Sequence, residues 1–308
     1  MFVYTVISLL FRIFVLVGLG FLLKKINMID DKVQQGLTNL LINVALPASL
    51  LSSSSNSFEP EMANEIAMTA IVSILYFVLS SLIFTFVLRK LPFKMSRDKQ
   101  NIFIALVIYS NISFMGYPIV ANLLGPKATI LAVIHSLIWN LYFFTVGVST
   151  IKGENAVSII SIIKKPVTLS ALLTLIIYFL PISLPAVIYM VLNDIGGMTT
   201  PISMMLIGVT LGGIKLSKSL FRDSANILAA VFRLLIIPIS AIFLFKVFKV
   251  PELVSQTIVL MLAMPSGSMV AIHASLFDKE AEFATRGVSL NTTLFALTFP
   301  LILFLMNL

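Results

Sequence analysis

From Met1 to Leu23 the chain carries a single charged side chain, Arg12, and apolar runs of this kind recur to its end. A helix needs ~20 apolar residues to cross the hydrocarbon layer of a bilayer. Ten runs qualify, at 2–23, 33–53, 63–88, 100–124, 127–149, 166–182, 185–212, 224–248, 253–276 and 282–306. Only short loops remain between them, so no stretch is left for a separate soluble domain. The charged fraction is 11%, against about a quarter in soluble domains, and the mean hydropathy is +1.06. The chain therefore reads as an all-α polytopic membrane protein of ten transmembrane helices. Its first run is too long for a signal-peptide core and lacks a small-residue cleavage site, so it reads as the first span.

The net charge of +8 does not point to nucleic acid, because the basic residues sit in loops between apolar runs. They set orientation instead. With the N-terminus outside, fifteen of the 21 Lys and Arg residues fall in inner loops and three, Lys127, Lys246 and Lys249, in outer ones. Arg12, Arg233 and Arg286 lie within or at the edge of spans. Both termini are expected to be extracytoplasmic in a multi-pass cell-membrane protein. Cysteine is absent, so neither a disulfide nor a thiolate metal site can form; no cofactor or metal is expected.

An internal repeat divides the chain. Asn39 precedes Pro47-Ala-Ser49-Leu50-Leu51, and Asn193 precedes Pro201-Ile-Ser203-Met204-Met205 at the same spacing. Ala128-Thr129 is followed by His135, and Ala284-Thr285 by Asn291, again at one offset. The fourth and ninth runs are each interrupted, at Asn111-Ile-Ser-Phe-Met-Gly116-Tyr-Pro118 and at Met264-Pro265-Ser-Gly267. Residues 1–149 thus form one five-helix repeat and 166–308 a second, joined by a short cytoplasmic linker, 150–165. An odd number of spans per half inverts the second. Inverted repeats with broken helices at matching positions mark secondary transporters.

Proline removes a backbone hydrogen bond and clashes with the preceding turn, so Gly116/Pro118 and Pro265/Gly267 predict broken helices 4 and 9 that cross in the interior. Freed backbone groups are tolerated there only against protein or a water-filled cavity. Two half-helix N-termini would meet, each carrying about half a positive charge, which suits a carboxylate without a fixed lysine. The polar groups nearby complete the candidate site: Ser110, Asn111 and Ser113 before the first break, Ser266 and Ser268 at the second, and His135 and Asn291 on neighbouring helices. Polar residues of this kind also join helices in membrane bundles. Pro47, Pro201 and Pro238 fit packing or hinge roles.

Leu46-Pro47-Ala48, Asn111…Gly116-Tyr-Pro118, Asp194…Pro201-Ile-Ser-Met-Met-Leu-Ile-Gly208 and Pro265-Ser-Gly267 resemble the auxin efflux carrier family, which includes bacterial malate and malonate permeases. The resemblance covers essentially the whole chain. It implies a scaffold of helices 1, 2, 6 and 7, a transport domain of helices 3–5 and 8–10, and an elevator-like motion that carries a small organic anion. It also implies a homodimer through the scaffold. Asn111, Pro118 and Pro265 match the family's crossover motif, which implies a binding role for them. The short linker resembles the bacterial members, so small mono- or dicarboxylates such as malate or malonate are better expectations than auxin. A sodium-coupled bile-acid-like symporter of the same general fold is the alternative.

Charges within spans call for partners or cavities. Arg233 is a candidate for attracting the anion; it equally fits an ion pair with Asp194 or a side chain reaching the interface. The third to fifth and eighth to tenth runs lack a deep carboxylate, so Asp194 and His135 are the coupling candidates. An enzyme is not expected: HExxH is absent, Asp194 has no second deep aspartate, and His135 and His273 fall short of a zinc site.

Overall fold

The computed structural model describes residues 2–53, 60–90, 95–153, 166–180, 184–213 and 223–306. The linker expectation falls largely on 154–165, outside the described residues, as do Lys94, Lys164, Lys165, Lys215, Lys218 and Arg222. The described chain is helical, with one isolated β-bridge. In order the helices are α1 (Phe2–Lys25), α2 (Asp31–Ser53), α3 (Met62–Lys90), α4 (Arg97–Ile108), α5 (Ile112–Lys152) and α6 (Pro166–Phe179). They continue as α7 (Ala186–Gly213), α8 (Ser224–Val247), α9 (Glu252–Ala263), α10 (Ser268–Leu276) and α11 (Ala281–Leu305).

Six of these, α2, α3, α5, α7, α8 and α11, are long and apolar enough to cross a membrane. For three of the other runs, the fourth, sixth and ninth, the shortfall has physical causes. Two expected spans are broken into α4 with the start of α5, and α9 with α10, so no piece is long enough alone. The α6 helix is short. Within α5, Gly125 takes φ +80° ahead of Pro126, which divides that helix where the fourth and fifth runs meet. Outward-facing Ile71, Ile74, Leu75, Leu79, Leu82 and Phe86 give α3 an apolar exposed stripe, a surface matched to lipid chains. The molecule is a multi-span membrane protein.

Three of the prolines leave the same trace in these helices. Pro47, Pro118 and Pro238 each stand two residues beyond a π-helical turn, at Leu41–Ala45, Ile112–Gly116 and Phe232–Ile236. The residue four before each proline, whose carbonyl the ring would strike, lies inside the widened turn. Widening there absorbs the clash without ending the helix.

The helices pack in two groups. α1 lies along the Thr199–Gly213 part of α7, and α2 packs on the Ala186–Gly197 part and on α6. Glycine sets the first contact: a Cβ at Gly208 would collide with the Val17 carbonyl oxygen, and one at Gly20 with the Met205 carbonyl oxygen. Gly196 likewise admits Ser49 of α2, whose Cα would lie 2.7 Å from a Cβ there. Small residues allow this backbone approach between membrane helices, where lipid gives no hydrophobic drive for association. The second group, α3–α5 and α8–α11, surrounds α4 and α9. From Ile102 to Ile108 and from Ile258 to Met264 every residue is buried and apolar, so these inner stretches are apolar all round because every side faces protein.

Polar pairs tie the starts of the second group together. Ser96 caps α4 by accepting from the Lys99 amide at 3.1 Å, and Asp223 caps α8 by accepting from the Ala225 amide at 3.0 Å. Lys99 then reaches Asp223 at 2.7 Å, and Lys279 reaches Asp98 at 2.9 Å, linking α4 to α8 and to the turn before α11. These pairs are half-exposed and contribute little each, but all lie at helix ends that the loop charges assign to the inner side.

The glycine contact predicts that Gly208→Ala destabilises the protein by about 1–3 kcal/mol, the usual range for overpacking. Gly18→Ala, whose Cβ would meet open space, leaves the unfolding midpoint unchanged. Thermal melts of the detergent-solubilised variants compare the two.

Candidate functional site

The helices α4 and α9 both stop in the interior, and the extended residues after them pair across the gap. The Asn111 amide donates to the Pro265 carbonyl at 2.8 Å, and the Gly267 amide to the Tyr109 carbonyl at 2.8 Å. These two bonds form an antiparallel bridge between Ser110 and Ser266. Ser266 locks it by donating from Oγ to the Leu106 carbonyl at 2.5 Å. A Cβ at Gly267 would sit 3.2 Å from the Ser110 carbonyl oxygen, so glycine lets the strands approach.

The break at Pro265/Gly267 falls where the sequence suggests. The other does not. The chain leaves helix at Tyr109–Asn111, and Gly116 and Pro118 lie inside the next helix, both buried. Pro118 is carried by the π turn, and Gly116 makes room for the Met261 side chain, whose sulfur would lie 2.7 Å from a Cβ.

Four helix ends meet here, and they are treated differently by kind. The C-terminal ends belong to α4 and α9. Fully buried Arg233, from the π turn of α8, places Nη1 3.0 Å from both the Val107 and Ile108 carbonyls of α4. Its Nη2 donates to the Leu262 carbonyl of α9. Tyr76 joins from α3, donating to Ile108 O at 3.0 Å and accepting from Nη1 at 3.1 Å. Each helix C-terminus carries about half a negative charge, so one guanidinium balances two ends. Arg233 thus has carbonyl partners rather than Asp194, which stands exposed on α7.

The N-terminal ends belong to α5 and α10 and face a cavity of about 290 Å³. Asn111 caps α5, its Oδ1 accepting from the Phe114 amide at 3.3 Å. The start of α10 has no side-chain cap; Gly267, Ser268 and Met269 line the cavity. Ser110, Asn111, Ser113 and Asn140 supply further polar groups, while Ile42, Phe114, Trp139 and Phe144 supply apolar wall. Among the described residues, no charged side chain lines it. Asn43 of α2 and Pro166, Val167 and Thr168 of α6 close one flank, so the cavity lies between the two helix groups. On the far side of the crossing Asn122 donates to Thr200 Oγ1 at 2.6 Å. There Arg12, Pro118 and Thr200 border a void of only about 10 Å³.

Of the expected site residues, Ser110, Asn111, Ser113, Gly267 and Ser268 line the cavity. Pro265 and Ser266 build the bridge behind it. Gly116, Pro118, His135, Asn291 and Arg233 are buried in the packing around it. His135 bonds Ser73 through Nδ1 at 2.9 Å, and Ser73 Oγ donates to the Thr69 carbonyl at 2.6 Å. With its own hydrogen so used, Ser73 accepts from Nδ1–H, which leaves the His135 Nε2 lone pair without a partner. Asn291 donates to the Gly287 carbonyl at 2.9 Å. Sequence reasoning missed Trp139, Asn140 and Tyr76. Trp139 stands one turn beyond His135, a spacing that puts both on one helix face; Tyr76 carried no signal beyond a hydroxyl inside an apolar run.

Removing the α5 cap in Asn111→Ala is expected to cost about 0.5–2 kcal/mol. Asn111→Asp, which still offers an accepting oxygen, keeps the wild-type midpoint; thermal unfolding in detergent measures both.

The sequence pattern of the family described as membrane transport protein matches residues 5–158 and again 155–303. An uncharacterized transporter of Methanocaldococcus jannaschii is 23% identical over 288 residues, covering 91% of this chain and 92% of its own. One from Methanothermobacter thermautotrophicus is 26% identical over 302 residues, covering 96% of each.

Proposed function

The chain belongs to the membrane transport protein family, that of the auxin efflux carriers, and from that premise we propose that it carries a small organic anion across the cell membrane. The observation that carries this reading is the open N-terminus of α10 at a cavity whose lining, among the described residues, holds no charged side chain. Backbone amides and the helix dipole attract an anion there. The Asn111 side-chain amide and the Ser268 hydroxyl are within the same lining as donors. A carboxylate fits such a place, with its carbon body against Trp139, Phe114 and Ile42.

Movement follows from where the cavity lies. The two helix groups meet along α5 and α7, with the crossing on one side and α2 and α6 on the other. An elevator-like shift of α3–α5 and α8–α11 past α1, α2, α6 and α7 would break the Asn122–Thr200 bond and open the far face. Tight ends on α4, α8 and α11 favour motion of that group as one body. Ten crossings arise if each broken helix counts once and α5 divides at Gly125. The paired Asn39…Pro47 and Asn193…Pro201 segments, and His135 opposite Asn291, support inverted halves 1–149 and 166–308. Both termini are then outside, and scaffold surfaces are free to make a homodimer.

Reconstituted protein tested with malate, malonate and indole-acetate gives a saturable flux with at least one of them. Asn111→Asp keeps the fold but adds a negative charge to the lining, and raises the half-saturation concentration at least about tenfold, equivalent to 1.4 kcal/mol. Equal fluxes in empty and loaded vesicles across this series, by current and by tracer, would remove the anion reading. Orientation has its own check, because the chain holds no cysteine. Met28→Cys and Phe248→Cys, both at exposed positions, are labelled in intact cells by an impermeant maleimide only at Phe248.

A further inference from the structure

Four oxygens converge on one point at the back of the crossing: the carbonyls of Val107, Ile108 and Leu262 and the hydroxyl of Tyr76. Two of the three elements that supply them end there as helix C-termini, each with about half a negative charge. Carbonyl and hydroxyl oxygens gathered at a negative potential are the coordination that hard metal cations take. The point is filled by the Arg233 guanidinium, which is wholly buried and supplies the single positive charge that the two ends require. We propose that Arg233 is a built-in counter-ion: it holds an oxygen cluster that would otherwise need a bound alkali cation, so the crossing is assembled without one. On the reading of the protein as an anion carrier, its transport then needs no metal ion coupled at this point.

The placement of Arg233 supports a fixed role. It is the second residue of the π turn that Pro238 imposes on α8, and a widened turn shifts side chains off the regular helical face. Three of its four partners are main-chain carbonyls of α4 and α9, so they move with the crossing rather than with a ligand. Arg233 lies outside the cavity lining and acts on the anion only by completing the helix ends whose opposite poles face it. It is a positioning residue.

The experiment uses purified full-length protein and no substrate, so it stays informative even if every carboxylate fails in vesicles. Unfolding midpoints are measured in sodium, potassium and choline chloride at constant ionic strength. The wild-type midpoint is expected to be the same in all three. Arg233→Gln melts lower, and part of that loss is recovered, saturably, by sodium or potassium or by millimolar ethylguanidinium, but not by choline. Arg233→Lys, which keeps the charge but cannot fork to both ends, falls between. Saturable stabilisation of the wild type by sodium would overturn the proposal. So would an Arg233→Gln midpoint equal to that of Arg233→Lys, or a loss that no cation repairs. If Arg233→Gln yields no folded protein, the wild-type titration and the ethylguanidinium response of Arg233→Lys still decide: the expected results are no sodium effect in the first and partial recovery in the second.

Discussion

Two hydrogen bonds, Asn111 to Pro265 and Gly267 to Tyr109, hold together the place where the chain abandons helix inside the membrane. In lipid an unsatisfied backbone group costs several kcal/mol, so two interrupted helices are admissible only if their loose residues satisfy one another. The antiparallel bridge does this for the extended residues and leaves four helix ends to be settled. The two negative ends share Arg233 and Tyr76, one positive end takes Asn111, and the other is left to the cavity. The rest of the second helix group is a shell around this arrangement, packed on the apolar, buried inner stretches of α4 and α9.

Much of this was legible in the sequence, for unequal reasons. Spans were readable because lipid tolerates so few charges, and Pro265 with Gly267 marked a break because nothing nearby could absorb it. The same logic misplaced the other break. Pro118 is accommodated by a π turn, and the helix parts about two turns earlier, at Tyr109–Asn111. A turn that widens by one residue has no compositional signature. The fourth and ninth expected spans fall short of a full-length apolar helix through the same interruptions.

The site was half readable. Asn111, Ser110, Ser113 and Gly267 were found because they adjoin a break, and adjacency in sequence there is adjacency in space. His135 and Asn291 were singled out as polar groups in apolar runs, yet both are buried in helix packing. Arg233 had to have a partner, but its partners are carbonyl oxygens, which every residue possesses and no sequence displays. Trp139 and Asn140 face the cavity from a helix whose polar pattern gave no hint of which side that was.

The open end of α10 also bears on how such proteins diversify. On the anion-carrier reading proposed above, the attraction comes from main-chain amides, which no substitution short of proline removes, while the wall of the cavity is side chain. Phe114, Trp139, Phe144 and Ile42 can therefore be exchanged by mutation with the charge preference left intact. On that reading, a lineage built on this crossing is free to drift from one carboxylate to another through viable intermediates, each still an anion binder.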